Sequence, residues 1–306
     1  MIDYSALYAV PHGPIDAILD TDTFNETDDQ FALSYLLRCE EKVNVKAICA
    51  APFYNHNSAS PADGMEKSYR EILTLLSLLN REDMKKVTYR GSESYLPDEK
   101  TPVLSEAAER IVEISRSYTA EKPLYVVAIG AITNVASALL IDPTMAERIV
   151  VVWLGGHALS WTQPTSEFNM VQDIAAARVV FDSGVALVQL PCMGVVSHFT
   201  TTGPELDYWL GGKGNALADF LIKRCYGEAN KFAAGMPWSR VIWDVVAVAW
   251  LMNDGDRFMS GRVISRPIVT YDGQNAADHR RAPMLYIDAV NRDALIRDLF
   301  DRILKS

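Results

Sequence analysis

The sequence predicts an α/β protein: an open, mostly parallel sheet flanked by helices, of the Rossmann-like kind. Three observations predict it. Short apolar runs recur along the chain, separated by stretches whose apolar residues fall at helical spacing. The runs are nearly continuous in Val, Ile, Leu and Ala, as strands covered on both faces require. Polar loops follow several of the runs, at the strand carboxyl ends where open α/β sheets bind ligands.

In chain order, Ile15, Ala17, Ile18 and Leu19 form a buried strand running into Asp20. Phe31, Ala32, Leu33, Leu36 and Leu37 then mark a helix whose first turn holds Asp28 and Asp29, where negative charge is favoured. Residues 43–50 form the next strand, ending in the loop Ala51-Pro-Phe-Tyr-Asn-His-Asn57. Ser60 or Asp63 caps a helix carrying Ile72, Leu75, Leu76 and Leu79. A short strand at 87–89, a helix over about 105–117 and a buried strand at 124–129 follow, and Gly130-Ala-Ile-Thr-Asn134 turns that strand into a helix through 140. Another strand, 149–154, ends in Gly155-Gly156; Asp173 caps a helix with Ala175, Ala176, Val179 and Val180; 185–190 is a further strand. Beyond Cys192 the pattern weakens. Residues 204–240 read as helix broken by glycines, either a mobile wall over a site or a surface-packed insertion. A strongly apolar helix is expected over 241–251 with Asp244 in its first turn, then late strands at 263–271 and 283–287 as a candidate hairpin, and a closing helix over 292–304.

The 306 residues are 49% hydrophobic and 22% charged, an ordinary globular composition with material for a large core. No Ser/Gly/Pro-rich linker interrupts the chain, so one domain over 1–306 is expected. The net charge of −10 argues against a nucleic-acid backbone as partner. No apolar stretch is long and charge-free enough for a membrane span, and Met1-Ile-Asp-Tyr-Ser lacks the pattern of a leader. Cys39, Cys49, Cys192 and Cys225 have no metal-ligand spacing, and the first three have apolar neighbours; reduced thiols in the cytoplasm are expected.

Chemistry concentrates where the first strand ends. Asp20, Asp22, Glu26, Asp28 and Asp29 place five carboxylates within ten positions. Helix capping and loop solvation account for two acids more easily than for five. Crowded carboxylates repel one another unless a cation sits among them, and all-oxygen ligation suits Ca2+ or Mg2+. Gly130 permits close backbone approach, so a carbonyl such as that of Thr133 could add a neutral ligand; taken alone, that segment reads better as helix capping by Thr133 or Asn134. Glu167 and Asn169 suit a polyol such as a sugar, or an ordinary loop. Asp244 opens an apolar helix, where a carboxylate is costly to bury unless paired or metal-bound. Trp161, Trp238 and Trp243 could stack on a heterocycle, although packing is the commoner use. The five histidines show no metal spacing, no Ser-His-Asp triad assembles, and no Gly-rich phosphate loop follows a strand.

Together these segments resemble the inosine–uridine-preferring nucleoside hydrolases. That family's signature is a strand ending in Asp-Thr-Asp-x-x-x-Asp-Asp; here it reads Asp20-Thr-Asp22-Thr-Phe-Asn-Glu-Thr-Asp28-Asp29, two residues longer between the pairs. The likeness continues through Gly130-Ala-Ile-Thr-Asn134, Leu154-Gly-Gly156, Glu167-Phe-Asn169 and the Asp244 helix, spanning about residues 15 to 250. It implies the nucleoside hydrolase fold and cleavage of a ribonucleoside's N-glycosidic bond to free base and ribose. It implies a Ca2+ held by Asp22, Asp29, the Thr133 carbonyl and Asp244, with Asp22 activating the attacking water. Asp28, Glu167, Asn169 and Asn55 would hold ribose hydroxyls, Asn57 being the alternative to Asn55, and Asp20 would support the site from behind. A homodimer or homotetramer acting on a small nucleoside is the implied assembly.

Two departures alter the expectation. Trp243 stands where many members carry a His that protonates the leaving base, and Trp161 replaces a family Asn. Trp243 and Trp161 are therefore expected to stack the base, with Arg240 or solvent assisting protonation, while the Asn25-Glu26 insertion adds a contact or shifts the ligand. Two rival readings remain. One is a haloacid-dehalogenase-like phosphatase with Asp20 as nucleophile and Asp22 as acid, against which Phe24 occupies a position that motif gives to Thr or Val. The other is a catalytically silent, Ca2+-dependent nucleoside-binding protein.

Overall fold

The computed structural model describes residues 4–162 and 166–305, so part of the N-terminal stretch read for a leader lies outside the described residues. Eight strands share one sheet: β1 (Ile15–Thr21), β2 (Val43–Ala50), β3 (Thr88–Tyr89), β4 (Leu124–Ala128), β5 (Ile149–Leu154), β6 (Ala186–Leu190), β7 (Met259–Ser265) and β8 (Pro283–Val290). Their order is β3-β2-β1-β4-β5-β6-β8-β7, with only the edge pair β8–β7 antiparallel. The chain winds outward from β1 to β3, then returns to lay β4 on the other side of β1. That reversal opens a crevice at the carboxyl ends of β1 and β4.

Successive side chains of a strand point to opposite faces, and here both faces are apolar. Leu19, Val127, Val152 and Val188 enter one core, with helices Asp28–Leu37, Val245–Trp250 and Arg292–Ile303 packed over it. Ile18, Val126, Val151 and Leu187 enter the other, beneath helices Glu106–Ser115, Thr133–Ile141 and Ile174–Asp182. Each fully buried Leu, Ile or Val contributes about 1.5–3 kcal/mol, which holds the strand ends in fixed register. Two expected caps are in place, Ser60 and Asp173 accepting from the N–H groups of Asp63 and Ala176 at 3.2 and 2.9 Å. Ser105 caps its helix by accepting from Ala108 at 3.2 Å, whereas neither Thr133 nor Asn134 caps the helix Thr133–Ile141.

Three elements differ from expectation. The helix read over 241–251 is only Val245–Trp250, because Arg240–Val241 pairs antiparallel with Thr200–Thr201 and Asp244 becomes the N-cap. Residues 204–240 resolve into helices Gly203–Trp209 and Ala216–Ala233, separated by a turn in which Gly212 and Gly214 take φ of +65° and +69°. The strand read to 271 breaks at Arg266-Pro267, where the buried Arg266 turns inward to donate to the carbonyls of Val185 and Pro283. Its partner does form the expected hairpin, as β7 with β8. All four cysteines are buried and free, and among the described residues no helix is long and apolar enough to cross a membrane.

Candidate active site

The carboxyl ends of β1, β2, β4, β5 and β6 open onto one cavity of about 230 Å³, somewhat below the usual range for small-molecule sites. Its floor is acidic. Past β1 the chain turns tightly, with the Asn25 N–H donating to the Asp22 carbonyl at 2.7 Å, and enters helix Asp28–Leu37. This turn places Asp22, Asp28 and Asp29 on one side of the cavity, and the N-cap of helix Val245–Trp250 brings Asp244 to them. Asp28, Asp29 and Asp244 each offer a carboxylate oxygen within 4.8 Å of the others. All four aspartates are buried, and among the described residues neither carboxylate oxygen of Asp22 has a hydrogen-bond partner. Burial first, and then neighbouring negative charge, pushes Asp22, Asp28 and Asp244 well above the usual carboxylate range. Burial takes Asp29 up to about 7, even though Thr21 Oγ1 donates to it at 2.5 Å. Such a cluster of buried acid could hold a metal ion, and its oxygen donors are of the kind that suit a hard cation. Gly130 makes the approach possible, since a Cβ there would lie 2.9 Å from Asp22 Oδ1.

Behind the floor, Asp20 Oδ1 accepts from Asn134 Nδ2 at 2.8 Å, and burial raises its carboxyl to about 7. It does not line the cavity. Thr133 is not brought to the cavity either. It opens helix Thr133–Ile141, and its Oγ1 donates to Asp173 at 2.7 Å. The residue that reaches the wall is Ile129, directly after β4, whereas Thr133 lies a full turn further on. Of the two, Ile129 lines the cavity and Thr133 does not.

Asn55 lines the cavity and Asn57 does not. Asn55 Nδ2 donates to Asn25 Oδ1 at 2.6 Å, and Asn57 Nδ2 donates to the Asn25 carbonyl at 3.0 Å. Both residues thus lock the inserted Asn25 against the loop after β2. Glu26 stands at the rim and accepts from Arg240 at 2.7 Å. Arg240 itself does not line the cavity; its guanidinium lies 5.4 Å from the Phe232 ring. Glu167 caps the helix Phe168–Gln172, accepting from the N–H groups of Gly156, Asn169 and Met170 at 2.7, 2.8 and 2.9 Å. Asn169 Nδ2 donates to the carbonyls of Ile129 and Leu154 at 3.1 and 3.0 Å, tying the ends of β4 and β5 together. Trp243 forms part of the wall next to Asp244. Trp161 does not line it; it is 38% exposed and packs edge-on against His157 with ring centroids 5.9 Å apart. Trp238 packs on Tyr226. Sequence reasoning missed His157, Cys192 and Met193 as lining residues, and no motif or spacing marked them, whereas Asn25, read as part of an insertion that adds a contact, does line the cavity.

The fold and the acidic crevice define an α/β enzyme with a small-molecule site at a sheet's switch point. The chain belongs to the inosine-uridine preferring nucleoside hydrolase family, whose model matches residues 17–296, and enzymes of this family act on N-glycosyl bonds. It is 30% identical over 267 residues to the pyrimidine-specific ribonucleoside hydrolase RihA of Enterobacter sp. (strain 638), covering 77% of this chain and 78% of that one. Its fold is similar to that of a plant nucleoside hydrolase, the PpNRh1 enzyme, with a TM-score of 0.77 at 20% identity, over 96% of this chain and all (100%) of that one. It is also similar to that of a purine-preferring ribonucleoside hydrolase from Gardnerella vaginalis, with a TM-score of 0.70 at 22% identity, over 94% and 98% of the two chains. Family membership sets aside the phosphatase reading.

Proposed function

We propose that this chain hydrolyses a ribonucleoside to free base and ribose, with a Ca2+ held by Asp22, Asp29, Asp244 and the Ile129 carbonyl. One observation carries the reading: Asp22 presents two buried, unpartnered carboxylate oxygens among three further buried aspartates. Asp28, Asn55, Glu167 and Asn169 line the same cavity and are assigned to the ribose hydroxyls. Breaking the bond builds positive charge on the sugar, which the carboxylates around it stabilise, and holding the sugar there removes orientational entropy from the barrier. Asp22 takes the proton from the attacking water. A divalent cation, when bound, supplies a lowered water pKa and an anchor for the sugar's diol. Trp243 offers its ring to the base. The assembly that goes with this reading is a homodimer or homotetramer, and four free cysteines support a reducing cytoplasm.

The test is release of reducing sugar from uridine, cytidine, inosine and adenosine, before and after chelation and again with Ca2+ restored. Sugar release that chelation abolishes and Ca2+ restores is expected. Nucleoside binding without sugar release would instead identify a silent binder, and release indifferent to chelation would remove the cation.

A further inference from the structure

Resting on that reading, we propose that His157 is the hydrogen-bond donor to the departing base, through Nε2–H. When the C–N bond breaks, its electron pair goes to the base. The base then leaves as an anion unless a donor meets one of its ring or carbonyl acceptors. Most of the polar lining cannot serve. The carboxylates on the floor carry the wrong charge, Asn55 is tied to Asn25, and Asn169 spends its amide on two carbonyls. Arg240 stands outside the lining, engaged with Glu26. Among the described residues, His157 is the cavity's one imidazole.

The backbone holds this ring in place. Gly156, with φ of +78°, donates to Glu167 at 2.7 Å and accepts from the Cys192 N–H at 2.8 Å. Ala158 donates to the Met193 carbonyl at 2.9 Å. His157 lies between these two bonds, with Trp161 against its ring. Its Nδ1 receives the Met193 N–H at 3.4 Å. A backbone N–H can only donate, so Nδ1 carries no proton and the ring's proton is on Nε2. Among the described residues Nε2 has no hydrogen-bond partner. Burial lowers the pKa of His157, which also favours the neutral ring. A neutral imidazole stabilises negative charge by hydrogen bonding without giving up its proton, as an oxyanion donor does. The balance closes: water attacks the anomeric carbon and gives a proton to Asp22, the base takes the electron pair, and solvent supplies the proton that completes the free base. Glu167 fixes Gly156 while lining the sugar site, so one strut positions both halves of the substrate.

The experiment compares the full chain with H157F and H157Q on inosine or uridine and on p-nitrophenyl β-D-ribofuranoside, in the presence of Ca2+. Nitrophenolate leaves as a stable anion and needs no donor. H157F should lower kcat on the nucleoside by about 10²-fold and affect the nitrophenyl riboside far less. H157Q, whose amide still donates, should recover part of the loss. Equal losses on both substrates would reveal a merely structural residue, and an unaltered nucleoside rate would remove His157 from the reaction; either overturns the inference while the wild type remains active. A wild type that releases sugar from neither substrate removes the hydrolase reading, and this inference with it.

Discussion

The floor and the far wall of the cavity are built on different principles. The floor draws Asp22, Asp28, Asp29 and Asp244 from a strand end and two helix starts, all buried, with their acidity suppressed by burial and by one another. The wall draws His157, Met193 and Trp243 from loops and a helix approach and Phe168 from a helix start, where side chains pack in the ordinary way. The floor therefore stores unfavourable electrostatics that a cation would relieve, and the wall stores none. Substitutions on the floor should remove activity while relieving the fold, whereas those on the wall should remove less activity and relieve nothing.

The largest expected effect is that of Asp22→Asn or Asp244→Asn: sugar release falls about 10³-fold or more, while the melting temperature of the metal-free protein holds or rises. A drop of several degrees would break the contrast, since it would make these acids structural. Gly130→Ala comes next. Its new Cβ, 2.9 Å from Asp22 Oδ1, should displace that carboxylate and cost about 10²-fold in rate with Ca2+ affinity reduced, measured by calorimetry beside the kinetics.

A pH series sharpens the same contrast. Burial holds Asp20 and Asp29 at about 7, against roughly 4 in an unfolded chain. Their folded-state pKa is raised, so the metal-free fold retains protons that the unfolded chain loses. Stability should therefore be greatest below about pH 4, as far as these groups decide it, and decline as pH rises through about 7. Added Ca2+ should restore most at the alkaline end. Thermal melts with and without chelator check this, and a metal-free protein that gains stability between pH 5 and 8 would contradict it.

On the wall, Trp243→Ala should lower turnover about tenfold with little change in Ca2+ affinity; unchanged kinetics would remove stacking from the account. The smallest effect belongs to the rim. Glu26→Gln breaks the pair with Arg240, but Glu26 is 43% exposed, so the melting temperature should move by no more than about 1 kcal/mol implies.

Much of the sheet was legible because its strands are short, continuous apolar runs that few other structures accommodate; residues 43–50 and 149–154 have the bounds read from the sequence. The floor was legible for a related reason. Repelling acids packed into ten positions are too costly to assemble without purpose. Misreadings arose where one residue's neighbours in space decide its role. Val241 is apolar enough for a helix, yet a strand partner at Thr200 claims it. Thr133 and Ile129 are four residues apart, and only the point where β4 stops selects which one meets the cavity.

By itself the sequence determined the alternation of strands and helices, the acidic junction after β1 and the isolated carboxylate at Asp244, because hydrophobic period and charge density are local properties. Tertiary structure alone decided that Asn55 rather than Asn57 lines the cavity and that His157 enters it, and it sets Asp244, which the family resemblance had tied to Asp22 and Asp29, beside Asp28 and Asp29. These depend on where separate strand ends converge across the switch point, and sheet order is set by long-range packing that no single segment encodes.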